Sequence, residues 1–220
     1  MAERPIFVPV ADGAHLVKEL PMRLVWHPGF AASQKKKNAA ALHESARLAG
    51  YAPLLEVSTK SEEKVGQHLS AFHLQVHSEQ FGKLTLESAF QGSKVFELGG
   101  PYTDLYAGDA RSAKRDIRLK ESGRLTAFNF GRLWFPLEPK TAFYDWLYLN
   151  ALYEHREWLR RHIFKYVGFT DIEFNPERSI NCQARTCALL VSLLKRNWLD
   201  EAVSSPEAFI ALLSRHSLAA

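Results

Sequence analysis

Cysteine is nearly missing from this chain: Cys182 and Cys187 are the only two among 220 residues. They stand five positions apart in a stretch of helical character, on different turns, and match no zinc-ligand or redox spacing, so they read as small core residues. The nine histidines are scattered, and His73 with His77 falls in a stretch of extended character rather than in a metal-binding helix motif. The expectation is a protein that needs no metal and no other cofactor. Long apolar runs are missing as well, since nothing approaches the roughly 20 residues that cross a bilayer, which argues against a membrane partner. Met1-Ala-Glu-Arg-Pro5 lacks the basic-then-apolar pattern of a secretion signal, and this points to the cytoplasm. Repeats, low-complexity tracts and linkers are also lacking. With 46% hydrophobic residues and 12 glycines, the chain suits one sizeable core and a single domain over residues 1–220.

An acidic excess is the other absence. The formal net charge is +4 with an isoelectric point near 9.0, and the surplus gathers at Gln34 to Lys37, Arg111 to Arg124 and Arg156 to Lys165. Clusters of this kind attract phosphate and raise encounter rates with nucleic acid, or they are solvated helix faces.

The pattern along the chain predicts an α+β fold: a compact, helix-rich domain with a small β-sheet and a core at about residues 50–196. Pro5 to Val10 and His15 to Leu20 read as edge strands, and Ser33 opens a helix that stops at Gly50. Leu54 to Ser58 is a short buried strand delivering Ser58-Thr-Lys60-Ser61, hydroxyls and a lysine that either hold phosphate or start a loop. Leu69 to Val76 reads as a second core strand, and Phe81 to Lys83 as a turn. Ser112 to Leu119 follows as a basic helix. Leu125 to Trp134 is extended and aromatic-rich, suited to the core or to stacking on a base. Thr141 caps the longest helix, with Arg156, Arg160 and Arg161 on its basic face. Phe169 to Pro176 is extended, Asn181 caps a helix through Leu194, and Ser205-Pro206 opens the last one.

The chain is organised around Leu84 to Pro101, which predicts one buried helix of about four turns between an N-cap at Thr85 and a stop at Gly99-Gly-Pro101. Glu87, Gln91 and Lys94 sit at i, i+4 and i+7, in one narrow polar arc, while Leu86, Ala89, Phe90, Val95 and Phe96 occupy the rest. A buried carboxylate and ammonium are costly unless paired or opposed to a ligand, so this line faces either a salt bridge or a pocket.

These pieces together, Leu69-Ser70-Ala-Phe72, Glu87-Ser-Ala-Phe-Gln91-Gly-Ser-Lys94 and Ser179-Ile-Asn181, resemble the NADAR (YbiA-like) family from about Ser58 to Lys195. In that family a Phe-Ser-Asn-Phe-like strand precedes a Glu-His-x-x-Gln-Ala-x-Lys helix. Here Ser88 replaces the histidine, and the usual Trp-Gly before the late helix gives way to Glu173-Phe-Asn-Pro176. Those departures, with Thr141-Ala-Phe-Tyr-Asp-Trp-Leu147, are similar to the branch paired with DarT-type toxins. The resemblance implies an antitoxin that removes ADP-ribose from guanine in DNA, releasing ADP-ribose, with the cognate toxin as its functional partner. It implies catalysis by Glu87 and Lys94. Substrate contacts are expected from Ser70, Phe72 and Gln91, from Ser58, Lys60, Lys114 and Arg115 toward phosphate, and from Asp171 and Asn181 toward ribose or base edges. Three alternatives stand beside it: a non-catalytic ADP-ribose or DNA reader, a module that blocks the toxin by contact, and an N-glycosidase of the YbiA type acting on a small metabolite.

Overall fold

Alternating, proline-punctuated residues at the start of the chain form an antiparallel hairpin of β1 (Ala2–Pro9) and β2 (Val17–Leu24), with Ala2 opposite Leu24 and Pro9 opposite Val17. The computed structural model describes residues 1–177 and 179–216. After the hairpin come α1 (Ala32–Leu48), β3 (Leu54–Glu56), α2 (Lys64–His68), β4 (Gln75–Ser78), β5 (Gly82–Thr85), α3 (Leu86–Gly92) and β6 (Lys94–Phe96). A 3₁₀ turn at Thr103–Ala107 leads to α4 (Ala110–Arg115), α5 (Arg118–Glu121), β7 (Leu125–Phe130) and β8 (Leu133–Phe135). The remaining elements are α6 (Ala142–Tyr153), α7 (Arg156–Ile163), β9 (Gly168–Thr170), α8 (Gln183–Arg196), α9 (Leu199–Ser204) and α10 (Pro206–Arg215). This is an α+β fold. Among the described residues it divides into two compact units, one from residues 1–70, 155–200 and 215–216, the other from 71–154 and 201–214.

The first unit is built on a four-stranded sheet of order β2-β1-β9-β3, in which β3 and β9 run parallel. Ile6, Met22, Leu24, Leu54 and Ile172 pack with Ala39, Leu42 and Ala46 of α1, so the apolar stripe of that helix closes over the sheet. Helix α8 is buried from Thr186 to Leu194 and is tied to the hairpin loop by Ser192, whose hydroxyl donates to the Leu16 carbonyl at 2.6 Å. The second unit holds the hairpin β4-β5 and the sheet β6-β7-β8. Its core is aromatic: Phe143 of α6 lies 4.8 Å from Phe128 and 5.1 Å from Phe135, centroid to centroid, and Phe90 of α3 lies 5.5 Å from Phe128.

Several elements differ from the sequence pattern for identifiable reasons. Strand β1 is interior, since β9 pairs with it at Phe7, so of the two hairpin strands β2 alone lies at an edge of the sheet. Leu69 to His73 is the turn that follows α2 rather than a strand. The basic stretch after Ala110 breaks into α4 and α5 at Asp116, whose carboxylate accepts from Arg118 at 2.9 Å. Thr141 does precede α6, but with φ of 70° its hydroxyl donates to the Asp145 side chain instead of capping a backbone N–H, and that helix ends at Tyr153. The longest helix is α1. The predicted four-turn helix is the shorter α3, because the carbonyl of Ser93 accepts from Asn129 N at 2.7 Å and Lys94 to Phe96 join β7 as a strand.

Candidate functional site

In the second unit, β5 delivers Thr85, whose hydroxyl oxygen accepts from Ser88 N at 3.2 Å and so caps α3 as expected. Every residue of α3 is buried, with Glu87 and Gln91 each 5% exposed. Their burial is possible because they are joined: Gln91 Nε2 donates to Glu87 Oε1 at 2.8 Å, and Lys94 Nζ donates to Gln91 Oε1 at 2.7 Å. A lysine only donates and a carboxylate only accepts, so the Gln91 amide has a single workable orientation. Glu87 and Lys94 are therefore linked through Gln91 rather than as a direct pair. The sequence placed Lys94 two turns along the same helix. Instead the chain turns at Ser93, whose hydroxyl donates to Ala89 O at 2.6 Å, and Lys94 opens β6.

Two further groups complete this constellation. Lys114 Nζ, arriving from α4, stands 3.7 Å from Glu87 Oε1 and 5.7 Å from the centre of the Phe72 ring, and Lys94 Nζ lies 4.9 Å from the Phe90 ring. Burial pushes the Lys94 ammonium down to about 8, the carboxylate of Glu87 opposing the shift and Lys114 adding to it. The arrangement holds a buried carboxylate and a lysine of near-neutral proton affinity on one polar line, as acid–base or nucleophilic chemistry requires. Arg115 is exposed in the last turn of α4.

The first unit holds a second constellation around Glu56, a residue the sequence reading passed over. Its carboxylate accepts from Ser58 Oγ at 2.8 Å, Thr170 Oγ1 at 2.7 Å and Ile172 N at 3.0 Å. Since Thr170 gives its proton to Glu56, the contact of His43 Nε2 with Thr170 Oγ1 at 2.8 Å must be donated by the imidazole. His43, Glu56 and Lys60 line a cavity of about 410 Å³ beside α1. Burial raises the Glu56 carboxyl above the usual range and lowers His43. Asp171 is raised by burial and then by neighbouring Glu56, and accepts from Gln183 Nε2 at 3.0 Å.

Of the expected substrate contacts, Ser58 is fully buried, occupied by Glu56 and by the backbone N–H of Lys60 at 3.1 Å. The Ser70 hydroxyl is buried with no hydrogen-bond partner among the described residues. Asn181 is half-exposed just before α8, its carbonyl accepting from Ser179 Oγ at 3.2 Å. Thus Phe72, Glu87, Gln91, Lys94 and Lys114 come together in one unit, while Ser58, Lys60, Asp171 and Asn181 belong to the other. The signal for Glu56 was present: a lone acid inside Leu54-Leu-Glu-Val57, an otherwise apolar strand, needs partners. His43 and Thr170 carried no such signal. Both cysteines are free and buried, Cys187 inside α8 and Cys182 at its N-cap. None of the described helices is long and apolar enough to cross a membrane.

Compared with known protein families, residues 2–220 match the model of the DarT1-associated NADAR antitoxins. No curated protein matches the chain.

Proposed function

Because the chain belongs to the DarT1-associated NADAR antitoxin family, we propose that it acts as a hydrolase, cleaving the N-glycosidic bond by which a DarT-type toxin attaches ADP-ribose to guanine in DNA. The observation that carries this reading is the Glu87–Gln91–Lys94 relay. Departure of the base leaves positive charge on the ribose, so a carboxylate held beside it stabilises the transition state and takes a proton from the attacking water. Glu87 has that role, Gln91 orients it, and the nearby cation Lys114 suits the pyrophosphate. A reader module or a purely steric blocker of the toxin has no use for a buried carboxylate tied to a lysine.

Lys94 has two routes to contribute. As an ammonium it holds Glu87 and substrate in place. As a free amine it attacks C1 of the opened ribose, the guanine amino group leaves with a proton, and water then releases ADP-ribose from the lysine imine. Burial of Lys94 works against the pull of Glu87 and lowers its proton affinity, which brings the free amine within reach of the covalent route, while the hydrogen bond that Nζ donates to Gln91 suits the ammonium. The test is incubation with oligonucleotides carrying ADP-ribose on guanine or on thymine, followed by chromatography of released ADP-ribose. Release from the guanine substrate is expected; failure to consume either substrate removes the hydrolase reading.

A further inference from the structure

Helix α7 buries Leu159 and Ile163, which satisfies its inward stripe, and yet its outward face carries a tryptophan. Trp158 is 39% exposed and stacks on His162, with ring centroids 4.0 Å apart and planes inclined by 16°. His162 Nδ1 lies 2.7 Å from the Trp158 carbonyl, which can only accept, so the ring donates from Nδ1 and is held in place. At helical spacing Arg161 falls on the same outward arc one turn beyond Trp158, and Lys165 stands in the turn two residues past the end of the helix; both are exposed. Lys195 and Arg160 flank them, each about 6 Å from the Phe164 ring. The facing carboxylates are Glu157, 3.7 Å from Arg160, and Glu63, 3.9 Å from Lys165 and already engaged by the Tyr166 hydroxyl. Solvent-exposed pairs of that length are worth little, so the cations stay available to an anion.

We propose that this outward face of α7, with the turn that follows it, is a binding site for single-stranded nucleic acid, in which the Trp158–His162 pair stacks a base and Arg161 and Lys165 hold phosphates. The proposal rests on the reading that the substrate is a nucleic acid, and adds where its chain is gripped. An acidic protein segment would use the cations but not a flat, immobilised aromatic pair. Sequence-tolerant strand binding needs both, because stacking engages any base and lysine or arginine contacts release counterions.

The test uses the full chain in three surface variants: Arg161→Glu with Lys165→Glu, Trp158→Ala, and Trp158→Phe. Affinity for an unmodified single-stranded oligonucleotide is measured by fluorescence anisotropy across salt concentrations, and turnover is compared on the guanine-modified oligonucleotide and on ADP-ribosylated guanosine. Charge reversal is expected to weaken oligonucleotide binding at least tenfold and to flatten the salt dependence by about two ions. Trp158→Ala is expected to weaken it about tenfold with the salt slope kept, and Trp158→Phe to restore it. KM for the oligonucleotide should rise in both weakened variants while turnover of the nucleoside stays unchanged. Unaltered oligonucleotide affinity in the charge-reversal and Trp158→Ala proteins overturns the proposal. So does polyglutamate displacing the strand from wild type with Trp158→Ala indifferent to both ligands. Wild type that binds the oligonucleotide but hydrolyses neither substrate sinks the hydrolase reading and leaves this site standing.

Discussion

Lys94 is pulled two ways: burial removes its proton and the Glu87 carboxylate restores it, with burial stronger and the amine brought to about 8. If the free amine attacks the ribose, single-turnover rates climb about tenfold per pH unit up to pH 8 and then level off. If the ammonium is what matters, they fall through the same pH. The rising limb goes with the covalent route, for which borohydride added during turnover should leave an adduct of ADP-ribose mass, seen by intact-mass spectrometry and missing in Lys94→Arg; the falling limb goes with turnover that leaves no such adduct. Stability follows the same group. Between the folded value of about 8 and the ordinary 10.5, the unfolded chain holds a proton that the folded chain lacks, so stability should increase with pH across that window. Lys94→Met should abolish the increase in denaturant titrations.

Helix α3 shows how far an element can be read before its neighbours intervene. Its N-cap at Thr85, its buried character and the closeness of Glu87 to Gln91 were legible from spacing alone, and so were the strand at Leu54, the aromatic extended segment at Leu125 and the start of α10 at Pro206. Its end was not, because Gly92 to Phe96 is shaped by contacts distant in sequence: the Tyr106 hydroxyl meets Ser93 Oγ at 2.9 Å, and β7 pairs with β6. Propensity yields to such tertiary pairing. Gly92 marks the place, since a Cβ there would lie 2.5 Å from the Tyr106 ring and 2.9 Å from the Tyr102 carbonyl. Gly92→Ala is therefore expected to destabilise by about 1–3 kcal/mol and to lower kcat by disturbing the relay, readable as a drop in midpoint and rate together. The second constellation was half legible. Ser58 and Asp171 drew notice as polar residues, but their use as partners of Glu56 and Gln183 depends on the parallel pairing of β3 with β9, which no local pattern announces. Glu56→Ala leaves three donors unpaired in a buried setting and should cost about 3–5 kcal/mol in chemical unfolding.

For the whole molecule, the net charge of +4 suits the proposed nucleic-acid substrate. Affinity for the modified oligonucleotide should fall steeply as salt rises, whereas free ADP-ribose, which offers two phosphates and no strand, should respond weakly in the same titration. Equal responses would mean that only the modification is recognised. The proposed activity joins binding to bond cleavage, with Glu87 as the residue that drives cleavage. The decisive measurement is the rate of ADP-ribose release from a guanine-modified oligonucleotide by wild type and by Glu87→Gln, at saturating enzyme, with ADP-ribose affinity measured alongside by calorimetry. Release at least 100-fold slower in Glu87→Gln, with affinity for ADP-ribose kept, is the predicted result; release at the wild-type rate would contradict it.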